Sequence, residues 1–144
     1  MLISRIFIVK LNLMERAFVM RMKEAEEKVT AHSVKDLYPG LKQLELKVIL
    51  LDKTQESTRL KNGNILTQFR VADKTGSILC NIIGEEGEKL EPGNILYLDG
   101  AYTTLYKGRQ MLYNGKKGLL LRMREFFFLF SESPNKSEVH VMPA

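Results

Sequence analysis

The stretch "NILTQFRVADKTGSILCNII", residues 64–83, decides the fold, because apolar and polar side chains alternate on both sides of a central turn. A period of two residues is typical of a β-strand with one buried face, and "DKTG" at 73–76 contains residues that form turns. The stretch therefore predicts a β-hairpin. Asn81 and Ile83 face away from the side chains that we expect inside, which are Ile65, Thr67, Phe69, Val71, Ile78, Cys80 and Ile82.

The segments on either side repeat this pattern. "LELKVILL" (44–51) and "NILYLDGAYTTLY" (94–106) read as strands, with a kink expected at Gly100. "LLLRMREFFFLF" (119–130) suits a buried strand, although 119–126 would also fit a helix. Turn-forming residues separate these segments at 61–63, 91–94 and 106–109. About five short strands joined by such turns predict an all-β fold, a small barrel.

Composition limits the classes of function. The 144 residues suffice for one domain with a core, and the formal charge of +5 favours acidic partners such as nucleic acid or anionic lipid. Cys80 is the single cysteine, so no disulfide can form within the chain and a reducing compartment is expected. His32 and His140, the two histidines, lie in the flanks, which argues against a Cys/His metal site or a histidine-dependent triad. We predict no cofactor.

The chain divides into three pieces. Residues 1–33 form an N-terminal extension, helical or poorly ordered; residues 34–133 form the compact domain; and residues 134–144 form a short flexible tail. Charged residues interrupt the apolar N-terminus, so we expect no membrane-spanning helix, and no small-residue cleavage site follows it. Its basic residues leave a mitochondrial presequence as a minor alternative, against which Glu15 and the scarcity of serine argue.

Three tyrosines and several cations concentrate in "AYTTLYKGRQMLY" (101–113). On a strand, Tyr102 and Tyr106 share a face, and a turn at 107–109 would bring Tyr113 back beside them. No acidic residue occurs between Gly100 and Arg124. Aromatic rings on one sheet surface can stack with bases, and nearby cations attract phosphates that a carboxylate would repel. The alternatives are tyrosines that pack against a core end-on, a helix face with four-residue spacing, and cations that merely solvate the surface.

The order of five motifs resembles the SOSS-B family, the small single-stranded DNA-binding proteins of the eukaryotic SOSS complex. The sequence is similar, more loosely, to the single-OB-fold DNA-binding proteins of crenarchaea. Each motif alone is moderately specific for the family. Together, their order and spacing over about residues 34–135 are highly specific. The motifs are "VKDLYPGLKQL" (34–44), "VADKTGSI" (71–78), "LEPGNILYL" (90–98), "YTTLYKG" (102–108) and "FSESPN" (130–135).

This resemblance implies a single five-stranded OB-fold barrel that binds single-stranded DNA in genome maintenance, in the DNA damage response and DNA repair. It also implies a nuclear location and an assembly with Integrator complex subunit 3 and a small third subunit. The family's stacking aromatics fall at Tyr102, Tyr106 and Tyr113. Ile83 stands where the family usually carries a tryptophan, so we expect lower affinity and a shorter footprint. The family's longer tail is cut short, which puts tail-dependent partners in doubt.

The leading interpretation is a non-enzymatic single-stranded DNA-binding protein with no small-molecule substrate and no membrane partner. The residues that we predict to contact DNA are Tyr102, Tyr106, Tyr113, Ile83, Asn81, Arg70, Lys107, Arg109, Lys116 and Lys117. One alternative is an OB-fold scaffold subunit that uses "FFFLF" and "LYPGL" to hold a complex together; another is a single-stranded RNA binder. An enzyme is the weakest interpretation, because Asp73 and the pair Glu85–Glu86 lie in turn-forming stretches.

Overall fold

A computed structural model of the chain describes residues 13–14, 16–17, 31–124 and 128–138. Residues 13–14 and 16–17 are helical. Most of the predicted N-terminal extension, and residues 139–144 of the predicted tail, therefore lie outside the described residues. Among the described residues, no helix is both long and apolar enough to cross a membrane.

Seven β-strands and two short 3₁₀ helices lie between residues 34 and 123. The strands are β1 (Leu44–Lys53), β2 (Thr58–Arg59), β3 (Ile65–Asp73), β4 (Gly76–Ile83), β5 (Ile95–Tyr106), β6 (Arg109–Tyr113) and β7 (Leu119–Met123). The 3₁₀ helices are Val34–Asp36, before β1, and Glu85–Lys89, between β4 and β5. The ambiguous segment after residue 118 thus begins as a strand rather than a helix.

The sheet closes on itself. Its strand order is β1-β3-β4-β6-β5, and β5 pairs again with β1, so five strands form a barrel. Neighbouring strands are antiparallel except β4 and β6, which are parallel. The short β2 pairs with β3, and β7 pairs with the first half of β5. The predicted all-β barrel is confirmed, and so is the hairpin of residues 64–83, in which Asp73 lies opposite Gly76.

The barrel interior contains most of the side chains that the alternation placed there, whereas Ile65, at the start of β3, is only half-buried. Phe69, Val71, Ile78, Cys80 and Ile82 have no solvent-exposed surface. They pack with Leu44, Leu46, Val48, Leu96, Leu98 and Leu112 from the other strands. Burial raises the pKa of the Cys80 thiol to about 12, since the interior disfavours a thiolate. The lone cysteine is therefore a core residue.

Three glycines explain why β6 and β7 are separate strands. Both lie along the same edge of β5, with residues 114–118 between them. Gly100 in β5 has φ +83°, which agrees with the expected kink. A Cβ atom on Gly115 would lie 2.1 Å from the Gly100 carbonyl oxygen, and one on Gly118 would lie 2.5 Å from that of Asp99. Only glycine permits this approach of the two backbones.

The segment before β1 closes one end of the barrel. Val34 and Leu37 are buried in the core. The carboxylate of Asp73 accepts hydrogen bonds from the Val34 N–H at 2.9 Å and from the Thr75 N–H at 2.7 Å. Thr103 Oγ1 donates to the Tyr38 carbonyl at 2.7 Å. The Asp73 carboxylate therefore has a structural role, because it joins the segment before β1 to the turn between β3 and β4.

Residues 134–138 differ from the prediction of a flexible tail that begins at residue 134. Ser137 is fully buried. Its hydroxyl donates to the Gln110 carbonyl and accepts from the Leu79 N–H, each at 2.7 Å. It thereby bridges β4 and β6 just before their parallel pairing begins, at Leu79 opposite Met111. A polar segment is fixed here because it completes backbone hydrogen bonds that the two strands leave open.

Candidate nucleic-acid interface

The side chains that point outward from four neighbouring strands form two rows, and we call this surface the outer face. The first row crosses β3, β4, β6 and β5 through directly opposed positions: Gln68, Asn81, Tyr113 and Tyr102. The second row lies two residues along each strand: Arg70, Leu79, Met111 and Thr104. Because side chains alternate along a strand, both rows lie opposite the barrel core.

Tyr102 and Tyr113 form a stacked pair in the first row. Their ring centroids lie 5.1 Å apart and their planes differ by 6°. Each ring therefore covers one face of the other. Burial, and then the neighbouring Tyr113, raise the pKa of the Tyr102 hydroxyl. Without the rings moving apart, a base can stack only on an outer side of this pair.

The turn between β5 and β6 brings the two rings together. Lys107 and Gly108 have φ of +52° and +79°, as in the two-residue hairpin turns whose twist matches that of the flanking strands. Arg109 then pairs with Tyr106. The sequence predicts this reversal, and the observed register places Tyr113 directly opposite Tyr102.

Tyr106 lies apart from the stacked pair, at the end of β5. Four residues separate it from Tyr102, or about 13 Å along a strand. Its side chain is 54% exposed. The ammonium of Lys107 lies 5.3 Å from the centre of its ring, within the range of a cation–π contact. The three tyrosines thus form one stacked pair and one separate ring, rather than three equivalent surfaces on which bases could stack.

Ile83 and Asn81 lie on the outer side of β4. Ile83 is half-buried opposite Leu66, whereas its neighbour Ile82 is in the core. The side chain of Asn114 binds both backbone groups of Ile83, at 2.8 Å and 3.2 Å. Asn81 is buried, and its Oδ1 accepts a hydrogen bond from Gln68 Nε2 at 3.0 Å. Asn81 lies directly opposite Tyr113, and Ile83 lies two residues further along β4.

Arg70 is held by two carboxylates. Its guanidinium lies 3.0 Å from Asp52 and 2.6 Å from Glu132. Burial alone would lower the pKa of Arg70, but the hydrogen bonds to Glu132 and Asp52 raise it above its ordinary value. A phosphate would have to compete with both carboxylates for the guanidinium, which weakens the predicted phosphate contact of Arg70. The sequence did not reveal these two ion pairs.

The other predicted cations lie at the two ends of the tyrosine pair. Lys107 is exposed at the β5–β6 turn, and Arg109 donates to the Ser137 carbonyl at 3.2 Å. Lys116 and Lys117 are exposed in the connection that follows Tyr113. A chain that crosses the pair would meet cations on both sides. Lys107, Lys116 and Lys117 occur in no ion pair within residues 31–124 and 128–138.

Several outer-face residues were missed by the sequence analysis. Gln68, Leu79 and Met111 lie in the two rows but were not predicted to contact a ligand. Arg59 and Lys61 are exposed in the connection between β1 and β3, a region that OB-folds use for oligonucleotides. The alternation of side chains identifies which way the strand residues face, but only the strand register shows which of them are neighbours.

The remaining acidic candidates lie on the protein surface. Glu85 and Glu86 are exposed on the second 3₁₀ helix. Within the described ranges, no group of three His, Cys, Asp or Glu side chains could hold a metal ion.

No family model matches the chain. Over 86 residues it is 26% identical to the "Single-stranded DNA binding protein Ssb" of Saccharolobus solfataricus. This match covers 58% of the chain and 58% of that protein. The chain therefore spans less than two thirds of the length of this curated relative.

Three solved structures share the fold. The solution structure of hypothetical protein F20O9.120 from Arabidopsis thaliana has a TM-score of 0.66 and 20% identity, over 82% of this chain and 90% of that one. The OB domain of Ta0387 from Thermoplasma acidophilum has a TM-score of 0.55 and 13% identity, over 67% and 89%. The replication Factor A Related Protein from Methanobacterium thermoautotrophicum has a TM-score of 0.50 and 12% identity, over 69% and 94%. The barrel is an OB-fold.

Proposed function

We propose that the protein is a non-enzymatic binder of single-stranded DNA that uses the outer face. The observation that carries this proposal is the stacked pair of Tyr102 and Tyr113 on a sheet surface, with cations at both ends. Stacking needs only the π-face that every base has, and lysines attract the phosphates. The relative from Saccharolobus solfataricus is named for the same ligand, which supports the proposal.

The geometry suggests how a strand is held. One base stacks on the pair formed by Tyr102 and Tyr113, and another stacks on Tyr106, about 13 Å further along β5. Lys107, Lys116 and Lys117 hold phosphates. Ile83 makes an apolar contact with a base but cannot stack as an indole ring would, which limits affinity.

We propose in addition a role in genome maintenance, in the DNA damage response and DNA repair, in the nucleus. The assembly would contain Integrator complex subunit 3 and a small third subunit. The ordered motifs of residues 34–135 support this, because they resemble the SOSS-B family. Copurification of tagged protein with Integrator complex subunit 3 from nuclear extract tests the assembly, and its absence would contradict this finer proposal alone.

A scaffold subunit is the second candidate, and a separate apolar surface favours it. Ile95, Tyr97 and Met123 pack together outside the barrel with Ile49, Leu121 and Phe128. Beyond them along the chain, Leu129 is 67% exposed and Phe130 is 46% exposed. Exposed apolar side chains of this kind are typical of protein-binding surfaces.

Fluorescence anisotropy with labelled oligonucleotides separates the candidates. We expect the protein to bind single-stranded DNA more tightly than a duplex of the same sequence. In a duplex, neighbouring base pairs cover the faces on which the tyrosines would stack. Tighter binding to single-stranded RNA would favour an RNA binder. No binding to any of the three, with partner capture intact, would favour the scaffold.

A further inference from the structure

The amide side chains of Gln68 and Asn81 form a hydrogen-bonded pair beside Tyr113. Gln68 Nε2 donates to Asn81 Oδ1 at 3.0 Å, and Thr54 Oγ1 donates to Gln68 Oε1 at 2.7 Å. Asn81 lies directly opposite Tyr113. A chain of hydrogen bonds therefore runs from the β1–β3 connection across the outer face and ends next to the stacked tyrosines.

Asn81 keeps one amide group for a ligand. Its Nδ2 has no hydrogen-bond partner within residues 31–124 and 128–138. In that part of the chain, the one buried side-chain polar atom without a partner is Oε1 of Gln110. Nδ2 of Asn81 is therefore accessible at the surface, although the residue as a whole is only 4% exposed.

The hydrogen bonds that join Thr54, Gln68 and Asn81 can also form in the reverse order of donors and acceptors. Thr54 Oγ1 also lies 3.3 Å from the main-chain oxygen of Gln68. If the hydroxyl donates to that oxygen, it can accept from Gln68 Nε2, because a hydroxyl is both donor and acceptor. Both amides then turn over, and Asn81 presents Oδ1 instead of Nδ2. Every hydrogen bond between nitrogen and oxygen atoms of these residues has a counterpart in the reversed order. Only the long contact of Gln68 Nε2 with Met111 Sδ, at 4.0 Å, is lost, so the free-energy difference between the two orders is small.

We propose that Gln68 and Asn81 contact the edge of the base on Tyr113 and offer it either a hydrogen-bond donor or a hydrogen-bond acceptor. This inference rests on the proposed function. Thymine presents a carbonyl oxygen where cytosine presents an amino group, and a reversible amide satisfies both. The pair thus adds hydrogen bonding to stacking without selecting one base.

Two substitutions at Gln68 fix the pair in opposite orders. In Gln68→Glu the carboxylate only accepts, so Asn81 turns Nδ2 toward it and presents Oδ1, which favours cytosine. In Gln68→Lys the ammonium only donates, so Asn81 presents Nδ2, which favours thymine. The ratio of oligo-dC to oligo-dT affinity should rise in the first variant and fall in the second, each by about fivefold, the factor for one hydrogen bond.

Anisotropy titrations with oligonucleotides of about 12 nucleotides, within the range of OB-fold sites, give these ratios. Thr104→Glu and Thr104→Lys are the matched controls, because they place the same charges on the outer face away from the amide pair. They should change both affinities equally. The inference would be overturned if the ratio of oligo-dC to oligo-dT affinity did not change in either Gln68 variant. It would also be overturned if the ratio changed as much in the Thr104 variants as in the Gln68 variants. Failure of the unsubstituted protein to bind either oligonucleotide would contradict the proposed function instead.

Discussion

The two halves of the outer face are built on the same alternation of side chains, yet their polar groups are engaged differently. On the β3–β4 half, Arg70 is held by Asp52 and Glu132, and Gln68 is bonded at both ends. On the β5–β6 half, Tyr106 and Lys107 are exposed. A side chain that faces outward is therefore not always available to a ligand, because neighbouring residues can already bind its polar groups.

The largest expected effect is on the β5–β6 half. Tyr113→Ala should weaken binding to oligo-dT by about 1–3 kcal/mol, the contribution of one stacked base. Tyr113→Phe should cost little, because stacking needs the ring and not the hydroxyl. Anisotropy titration measures both.

The melting temperature provides the control for this substitution. Loss of the stack with Tyr102 should lower the free energy of unfolding by only about 1 kcal/mol. Phe69→Ala, in the core, should lower it by about 3–5 kcal/mol. A Tyr113→Ala protein as unstable as Phe69→Ala would make this tyrosine a core residue and not a platform.

A new ring on the β3–β4 half should reduce the difference between the halves. Ile83→Trp adds a stacking surface at a half-buried outer position, so we expect affinity for oligo-dT to rise by about 1 kcal/mol. Ile49→Trp, half-buried in the apolar cluster on the other side of the barrel, is the matched control and should leave affinity unchanged. A lower melting temperature without tighter binding would show that Ile83 cannot accommodate the ring.

The salt dependence of the affinity for single-stranded DNA measures how many phosphates the exposed cations neutralise. The slope of log affinity against log salt should be about −0.7 for each phosphate neutralised on a single strand. Lys107→Gln, Lys116→Gln and Lys117→Gln should each make the slope shallower by about that amount. Lys35→Gln, at an exposed position outside the outer face, is the control. Affinity that does not respond to salt would refute the phosphate contacts.

The smallest effect is expected at Arg70. Asp52→Asn combined with Glu132→Gln releases its guanidinium, so binding should tighten by less than about 1 kcal/mol, as for an exposed ion pair. The salt slope should steepen by about 0.7 as one more phosphate is held. Arg70→Gln in the unsubstituted protein should change little. A large loss of affinity in Arg70→Gln alone would mean that DNA already displaces both carboxylates.

The local alternation of apolar and polar residues was enough to predict the two strands of the hairpin and the face of the sheet on which each residue lies. Phe69 and Cys80 are buried and Ile83 faces outward because each follows a two-residue period. The β5–β6 turn was also predictable, since Gly108 supports a tight reversal.

Contacts between distant residues could not be read from the sequence. Glu132 reaches Arg70 across 62 positions, and Ser137 reaches Leu79 across 58. Strand register decides such contacts, and local composition does not encode it. For the same reason, Gln68 could be placed on a face but not beside Asn81, and residues 134–138 read as a tail.

The most direct test of the account is nuclear magnetic resonance mapping of the isotope-labelled protein during titration with oligo-dT. We predict the largest shift changes at Tyr102, Tyr106, Tyr113 and Asn81, with the apolar cluster at Tyr97 and Met123 unaffected. Changes concentrated on that apolar cluster, or no changes at all at saturating oligonucleotide, would contradict the claim that the stacked tyrosines form the DNA-binding surface.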